Sequence, residues 1–190
     1  MSKKIELQAI KVFINARIKP IDRGELYADP LINKLEELEL GKVVEEGSNL
    51  SDEGEIVSCE LHLEVHTLSE ETISVIKDVL ESGLGVPKGS KLIIKSTQEE
   101  IEIGRASGLA LYLNGSDLSE EIYESCDINV VFEEINKLIS KIGFIHSYWE
   151  SSSEIALYLY GFSFEELNKK IENFISTYPL CQKCRVVQIA

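Results

Sequence analysis

The chain has 190 residues and a formal net charge of −14, and such a surface repels a polyanion, so we expect no nucleic-acid partner. Its 44% hydrophobic and 27% charged residues are typical of a globular protein. No apolar run approaches the roughly 20 residues of a membrane span, and none resembles a signal peptide. We therefore expect no membrane association and a cytoplasmic location.

Most of the negative charge lies beyond the first 23 residues. Residues 24–190 carry 31 acidic and 13 basic side chains, a balance of −18. This balance would attract a basic protein partner. The alternative is that the acidic side chains, spread over helix faces and turns, only keep the protein soluble.

Hydrophobic periodicity in the first half predicts the order strand, helix, strand, strand, helix, strand. Asp29-Pro30 is a typical helix start, with Asp as the N-cap residue. Thr67 and Glu70 have the spacing of a capping box for the second helix. The predicted strands are 10–17, 42–46, 55–66 and 91–95, and the residues between 47 and 54 form a polar connection.

The second half predicts the same order, and more clearly. The strands are 108–114, 143–149, 155–160 and 185–189, and the helices are 127–142 and 163–177. Asp127 is the expected N-cap of the first helix, and Ser163 with Glu166 forms a capping box for the second.

We therefore predict an α+β protein of two tandem ferredoxin-like (βαββαβ) units with antiparallel sheets and helices on one face of each sheet. Residues 1–98 form the first unit, 99–107 a linker or strand extension, and 108–190 the second unit. Similar patterns in the two halves favour an internal duplication. At the level of the fold, tandem βαββαβ units resemble the layout of ACT-type regulatory domains.

Alternation along the second-half strands predicts an aromatic sheet face away from the helices. Leu111, Leu157, Val187 and Ile189 are expected on the helix side. The candidate binding residues are Tyr112, His146, Tyr148, Trp149, Tyr158 and Tyr160. Aromatic rings with polar tips are common at interfaces, so this face either packs within the protein or its oligomer, or binds a partner.

Two further groups of residues could carry chemistry. Cys181 and Cys184 form a CxxC, but no second pair completes a zinc site, and no helix N-terminus follows to lower a thiol pKa. Glu60, His62, Glu64 and His66 alternate on one strand face and could share a metal, although a solvated strand face explains them equally well. We expect reduced cysteines and no metal or cofactor.

The chain contains no nucleophile motif, glycine-rich phosphate loop or HExxH. The expected function is that of a non-enzymatic acidic binding protein, which neutralises or regulates a basic protein partner in the manner of an immunity protein. The alternative is a small-molecule-sensing regulatory protein with a ligand site between the two units, or at the interface of a homo-oligomer. An enzyme acting through Tyr, His and carboxylate groups is a third class.

Overall fold

The computed structural model describes residues 7–190 and has an α+β architecture with two antiparallel sheets, of five and four strands. The chain divides between Arg105 and Ala106 into two compact units, called unit 1 and unit 2 below. No helix in the described part of the chain is long and apolar enough to cross a membrane.

Unit 1 contains one sheet and a helical layer. Its strands are β1 (Gln8–Ile14), β2 (Gly41–Leu50), β3 (Ile56–Val65), β4 (Ser90–Ile94) and β5 (Glu100–Ile103), in the sheet order β2-β3-β1-β4-β5. Its helices are α1 (Pro20–Arg23), α2 (Asp29–Glu37) and α3 (Glu70–Leu80). Alternate residues of β1 are buried, and β1 runs antiparallel to both β3 and β4, which makes it the centre of the unit 1 core.

The segment before α2 is helical, although the sequence predicted that the helix begins at Asp29. The chain is already helical from Pro20, and a π-helical turn (Gly24–Ala28) leads directly into α2. Asp29 therefore has helical dihedrals and makes no cap, so the prediction that it is an N-cap residue is wrong. This helical segment buries Arg23, Tyr27 and Ala28.

The hairpin of β2 and β3 is longer than predicted, because the residues expected in a polar connection continue the ladder as far as Leu50 and Ile56. Arg23 reaches this part of β2 from α1. Its guanidinium donates to the carbonyl oxygen of Gly47 at 3.0 Å and to Ser48 Oγ at 2.7 Å, and it pairs with Glu46 at 3.1 Å. Arg23 thus provides hydrogen-bond donors to the Gly47 carbonyl oxygen and Ser48 Oγ, a role that water would take if these residues formed a free loop.

The predicted linker contains strand β5, which pairs with β4 rather than extending the first strand of unit 2. Gly104 directly follows β5 and has a φ of +110°, which lies in the region of backbone conformations that glycine tolerates best. A Cβ atom there would lie 2.2 Å from the carbonyl oxygen of Pro87. The Gly104 amide also donates to Glu81 Oε1 at 2.9 Å, and this hydrogen bond ties the end of β5 to the end of α3.

The N-cap of α3 lies two residues beyond the predicted one. Ser69, not Thr67, accepts a hydrogen bond from the Thr72 amide at 3.1 Å. Thr72 is in turn buried, with its hydroxyl 3.1 Å from Ser69 Oγ.

Unit 2 has the sheet order β7-β8-β6-β9. Its strands are β6 (Ser107–Asn114), β7 (Gly143–Glu150), β8 (Glu154–Gly161) and β9 (Arg185–Gln188). Its helices are α4 (Glu120–Ser125), α5 (Ile128–Ile139) and α6 (Phe164–Thr177). The Asp127 and Ser163 caps are confirmed, whereas α4 was not predicted.

The unit 2 core lies between the sheet and the two helices α5 and α6, and it consists of buried apolar side chains. It includes Leu109, Leu111, Leu113, Leu157 and Leu159 from the strands and Val131, Ile135, Ile139, Leu167 and Ile171 from the helices. In β9, Val186 packs against this core, because it pairs with Leu111. Val187 pairs with Ala110, so its predicted position on the helix side is wrong.

Candidate functional site

The sheet face of unit 2 that points away from α5 and α6, here called the aromatic face, carries most of the predicted site residues. Tyr112, Tyr158 and Tyr160 alternate with the core leucines on β6 and β8 and therefore lie on this face. Tyr158 and Tyr160 are each 1% exposed and Tyr112 is 7% exposed. In this structure the three rings present almost no surface to a ligand.

A β-bulge in β7 separates two residues that were predicted to share a face. The register shifts between Ile145, which pairs with Leu159, and Ser147, which pairs with Tyr158. The extra residue in the bulge reverses the alternation beyond it. Tyr148 consequently pairs with Leu157 and contacts Phe132 of α5, with ring centroids 5.7 Å apart, so its predicted place on the aromatic face is wrong.

His146, the residue at the bulge, lies against aromatic rings. Its ring centroid is 4.1 Å from that of Phe144 and 5.1 Å from that of Tyr160, both in edge-to-face arrangements. Burial among these rings lowers the pKa of His146 to about 4, because the charged imidazolium loses its hydration. The ring is therefore neutral at pH 7.

The low pKa of His146 predicts an acid-sensitive unit 2. An unfolded histidine titrates near its ordinary pKa of 6.5, so the unfolded chain binds the proton first as the pH falls. The stabilisation is complete above pH 6.5 and decreases towards pH 4. We expect His146→Phe to reduce the fall in unfolding free energy over this range, measured by urea unfolding with Trp149 fluorescence. Identical pH profiles for the variant and the unmodified protein would contradict the burial of a neutral ring.

Tyr112 and Trp149 lie near the opposite end of the aromatic face. Arg185 packs over the Tyr112 ring, with its guanidinium carbon 4.3 Å from the centroid, and pairs with Glu154 at 2.9 Å. Trp149 lies within β7, opposite Ala156. It is half-buried.

The structure thus brings five of the six predicted residues to one face and places Tyr148 on the other. Sequence reasoning missed the exposed ring of this group, Phe144, which is 41% exposed. Its alternation with His146 along the predicted strand was the available signal.

The His62 and Glu60 side chains interact with each other and with a lysine. Glu60 accepts hydrogen bonds from Lys11 and pairs with His62 at 3.0 Å. The Lys11 ammonium, followed by His62, lowers the pKa of Glu60 to about 2. Among residues 7–190, no group of three His, Cys, Asp or Glu side chains is arranged to hold a metal ion.

The CxxC cysteines lie in a turn after α6, and all four cysteines of the chain are free thiols. Burial raises the pKa of Cys181 to about 12 and also raises that of Cys184. Both thiols are therefore protonated at neutral pH, and a protonated thiol is a poor nucleophile and a poor metal ligand.

Unit 1 contains a cavity of about 620 Å³ between α3 and the β4–β5 edge of its sheet, here called the acidic groove. Its floor is apolar and is formed by Ile73, Ile94 and Ile101. Its rim carries the carboxylates of Glu70, Asp78 and Glu99, with one cation, Lys77. Sequence reasoning missed this groove, because residues 99–107 were predicted only as a linker or strand extension.

The rim carboxylates are available for a cation. Within the described part of the chain, Glu70, Asp78 and Glu99 take part in none of the ion pairs. All three residues are exposed. A mixed apolar and acidic surface of this kind suits a ligand that carries both hydrocarbon and positive charge.

Unit 2 has a smaller cavity of about 330 Å³ beside α4 and the start of α5. Leu113, Tyr123, Cys126, Ile155 and Leu180 contribute to its mostly apolar lining. The Tyr123 hydroxyl is already engaged, because it donates to the carbonyl oxygen of Asn114 at 3.2 Å and accepts from the Leu118 amide at 3.1 Å.

No protein-family model matches the chain. No curated protein matches it either. Solved structures with a partial likeness include the regulatory subunit of aspartate kinase from Thermus thermophilus, at 12% identity and a TM-score of 0.30, covering 88% of this chain and 92% of that chain.

Two further solved structures show a similar degree of likeness. A protein from Fusobacterium nucleatum that is described as a putative monooxygenase is 11% identical to this chain, with a TM-score of 0.32. The match covers 96% of this chain and 91% of that chain. TiaS, solved with a transfer RNA, AMPCPP and agmatine, is 12% identical with a TM-score of 0.34, covering 88% of this chain. The chain spans only 56% of the length of TiaS. Likenesses this weak assign neither fold family nor function.

Proposed function

We propose that the protein is a non-enzymatic acidic binding protein that neutralises or regulates a basic protein partner in the cytosol. The observation that carries this proposal is the acidic groove, where an apolar floor is bordered by three carboxylates and one lysine, and where the three carboxylates form no ion pair within residues 7–190. A basic protein supplies both the apolar side chains and the positive charges that such a surface accepts.

The charge of the whole chain supports the same proposal. The excess of acidic side chains beyond residue 23 produces a negative field around the protein, which increases the rate of encounter with a cationic partner. Like-charged and polyanionic molecules are repelled by the same field. The aromatic face offers little binding surface to such a partner, because its central tyrosines are buried.

We propose further that each unit is a ferredoxin-like βαββαβ domain and that the two arose by duplication. The sheet orders support this, because the first four strands of each unit have the same spatial order. In each case the first strand lies between the third and the fourth. Unit 1 adds β5 at its edge, and this additional strand forms one wall of the acidic groove.

The experiment is an affinity capture with the immobilised full chain from the cytosol of its own organism at low salt. We expect a basic protein to be retained and then released by moderate salt, since screening weakens attraction between exposed charges. An acidic protein of similar size and charge but different fold serves as the control bait. Recovery of the same proteins on both baits, or of no basic protein, would contradict the proposal.

The small-molecule sensor stays a second candidate because of the apolar cavity in unit 2. A compound bound in this cavity would raise the melting temperature of the protein in the absence of any protein partner. A thermal-shift screen against metabolites separates the two functions, and Cys126→Phe, which would fill the cavity from a half-buried position, should remove any shift that arises there.

A further inference from the structure

We propose that the acidic groove is a docking site for an extended basic segment of the partner, which adds as a new strand to the outer edge of β5. This inference rests on the proposed function, and it names both the surface of the chain and the chemistry of the segment that binds there. Its support comes from the position of β5, the charge on that strand and the side chains beside it.

The position of β5 leaves one side of the strand open to pairing. Among the strands of residues 7–190, β5 is the last in the order of the unit 1 sheet and pairs with β4 alone. Main-chain groups on the outer side of an edge strand can pair with an extended peptide. The strand is held in place at its end by the hydrogen bond from Gly104 to Glu81 and by the close approach of Gly104 to Pro87.

The charge on β5 selects a basic strand over a second copy of this chain. Glu100 and Glu102 are exposed and lie on the same side of the sheet as Ile93 and Lys91, their partners in the β4–β5 register. Glu100 already forms an ion pair with Lys91 at 2.7 Å, so Glu102 contributes most of the uncompensated charge of the strand. Two copies of β5 joined edge to edge would bring these carboxylates near each other, and like charges on adjacent strands destabilise pairing. Lysine or arginine at the matching positions of a partner strand would instead attract them.

The alternation of an added strand fixes which of its side chains enter the acidic groove. Ile101 pairs with the buried Leu92 and is therefore on the helix side of the sheet. A partner residue opposite Ile101 would lie on that same side, over the apolar floor. Its neighbours two residues away, if they are arginines, have the length to approach the rim carboxylates of Glu70, Asp78 and Glu99.

The predicted segment therefore has an apolar residue flanked on its own face by arginines, with lysines on the other face. The simplest such sequence is Arg-Lys-Ile-Lys-Arg. We would use this pentapeptide, acetylated, amidated and labelled with a fluorophore through a flexible linker, as the probe in fluorescence anisotropy titrations at low salt.

Two triple variants of the full chain separate docking in the groove from attraction by net charge. The groove variant is Glu70→Gln, Asp78→Asn and Glu99→Gln. The matched control is Glu120→Gln, Glu121→Gln and Glu124→Gln, which removes the same charge from exposed residues of α4 in unit 2. Circular dichroism and melting temperature establish that both variants are folded.

We expect the groove variant to bind the peptide about tenfold more weakly than the unmodified chain, and the α4 variant to change the affinity by less than about threefold. Hydrogen exchange should show that the peptide protects main-chain amides within residues 100–103 in the unmodified chain. Equal weakening by both variants would overturn the groove while leaving the proposed function intact, because binding would then follow net charge. Capture of a basic protein without peptide binding would overturn the groove alone, and failure of both would overturn the function as well.

Discussion

Replacing Arg23 with methionine is expected to lower the unfolding free energy of the protein by about 2 to 4 kcal/mol. The Arg23 side chain is buried and donates hydrogen bonds to the Gly47 carbonyl oxygen, Ser48 Oγ and the Glu46 carboxylate. Methionine keeps much of the apolar stem but leaves the Gly47 carbonyl and the Glu46 carboxylate without their donor. Urea unfolding followed by circular dichroism measures the loss, and faster hydrogen exchange in β2 and β3 would assign it to unit 1.

The control for this substitution is Lys34→Met. Lys34 pairs with Glu37 at 2.8 Å, but the two side chains are 40% and 64% exposed. Exposed pairs one helical turn apart contribute less than about 0.5 kcal/mol. If Arg23→Met and Lys34→Met shift the urea midpoint equally, the buried hydrogen bonds of Arg23 stabilise the hairpin of β2 and β3 no more than an exposed ion pair would.

Replacing Gly104 with alanine is expected to destabilise the chain by about 3 kcal/mol or more, from backbone strain and a main-chain clash together. The φ of +110° disfavours any side chain, and the new Cβ atom would lie 2.2 Å from the Pro87 carbonyl oxygen. The structure can relieve the clash only by moving β5 away from the loop before β4. We therefore expect this variant to bind the peptide probe more weakly as well.

Gly54→Ala provides the matched comparison, measured by the same urea unfolding. Gly54 has a φ of +82°, also in the left-handed region, but a Cβ atom there would meet nothing within 4 Å. Its cost should be backbone strain alone, about 1 kcal/mol. Similar losses for the two variants would mean that β5 is not held against Pro87.

Local signals predicted the starts of α5 and α6 correctly because these signals depend on residues only two or three positions apart. Asp127 and Ser163 each stand directly before an apolar helical stripe, and each accepts a hydrogen bond from an amide in the first turn. Thr67 failed as a cap because Ser69 offers the same chemistry two residues later. Either hydroxyl can cap a helix, and hydrophobic periodicity alone does not choose between them.

Features that depend on distant residues were not predicted. The helical segment from Pro20 is stabilised in part by Arg23 reaching β2, more than twenty residues away. The bulge at His146 depends on the register with β8, and this one inserted residue moved Tyr148 to the helix side. The acidic groove needs α3 and β5 to meet at a sheet edge, so its rim residues had no common signal in the sequence.

The rate at which the captured basic partner associates with the full chain, measured at low and at high salt, shows whether negative charge on this protein recruits that partner. Electrostatic attraction to a net charge of −14 predicts that the association rate constant falls about tenfold or more between about 0.05 and 0.5 M salt, with a much smaller change in the dissociation rate. An association rate that does not depend on salt would contradict the claim that negative charge on this protein recruits its partner.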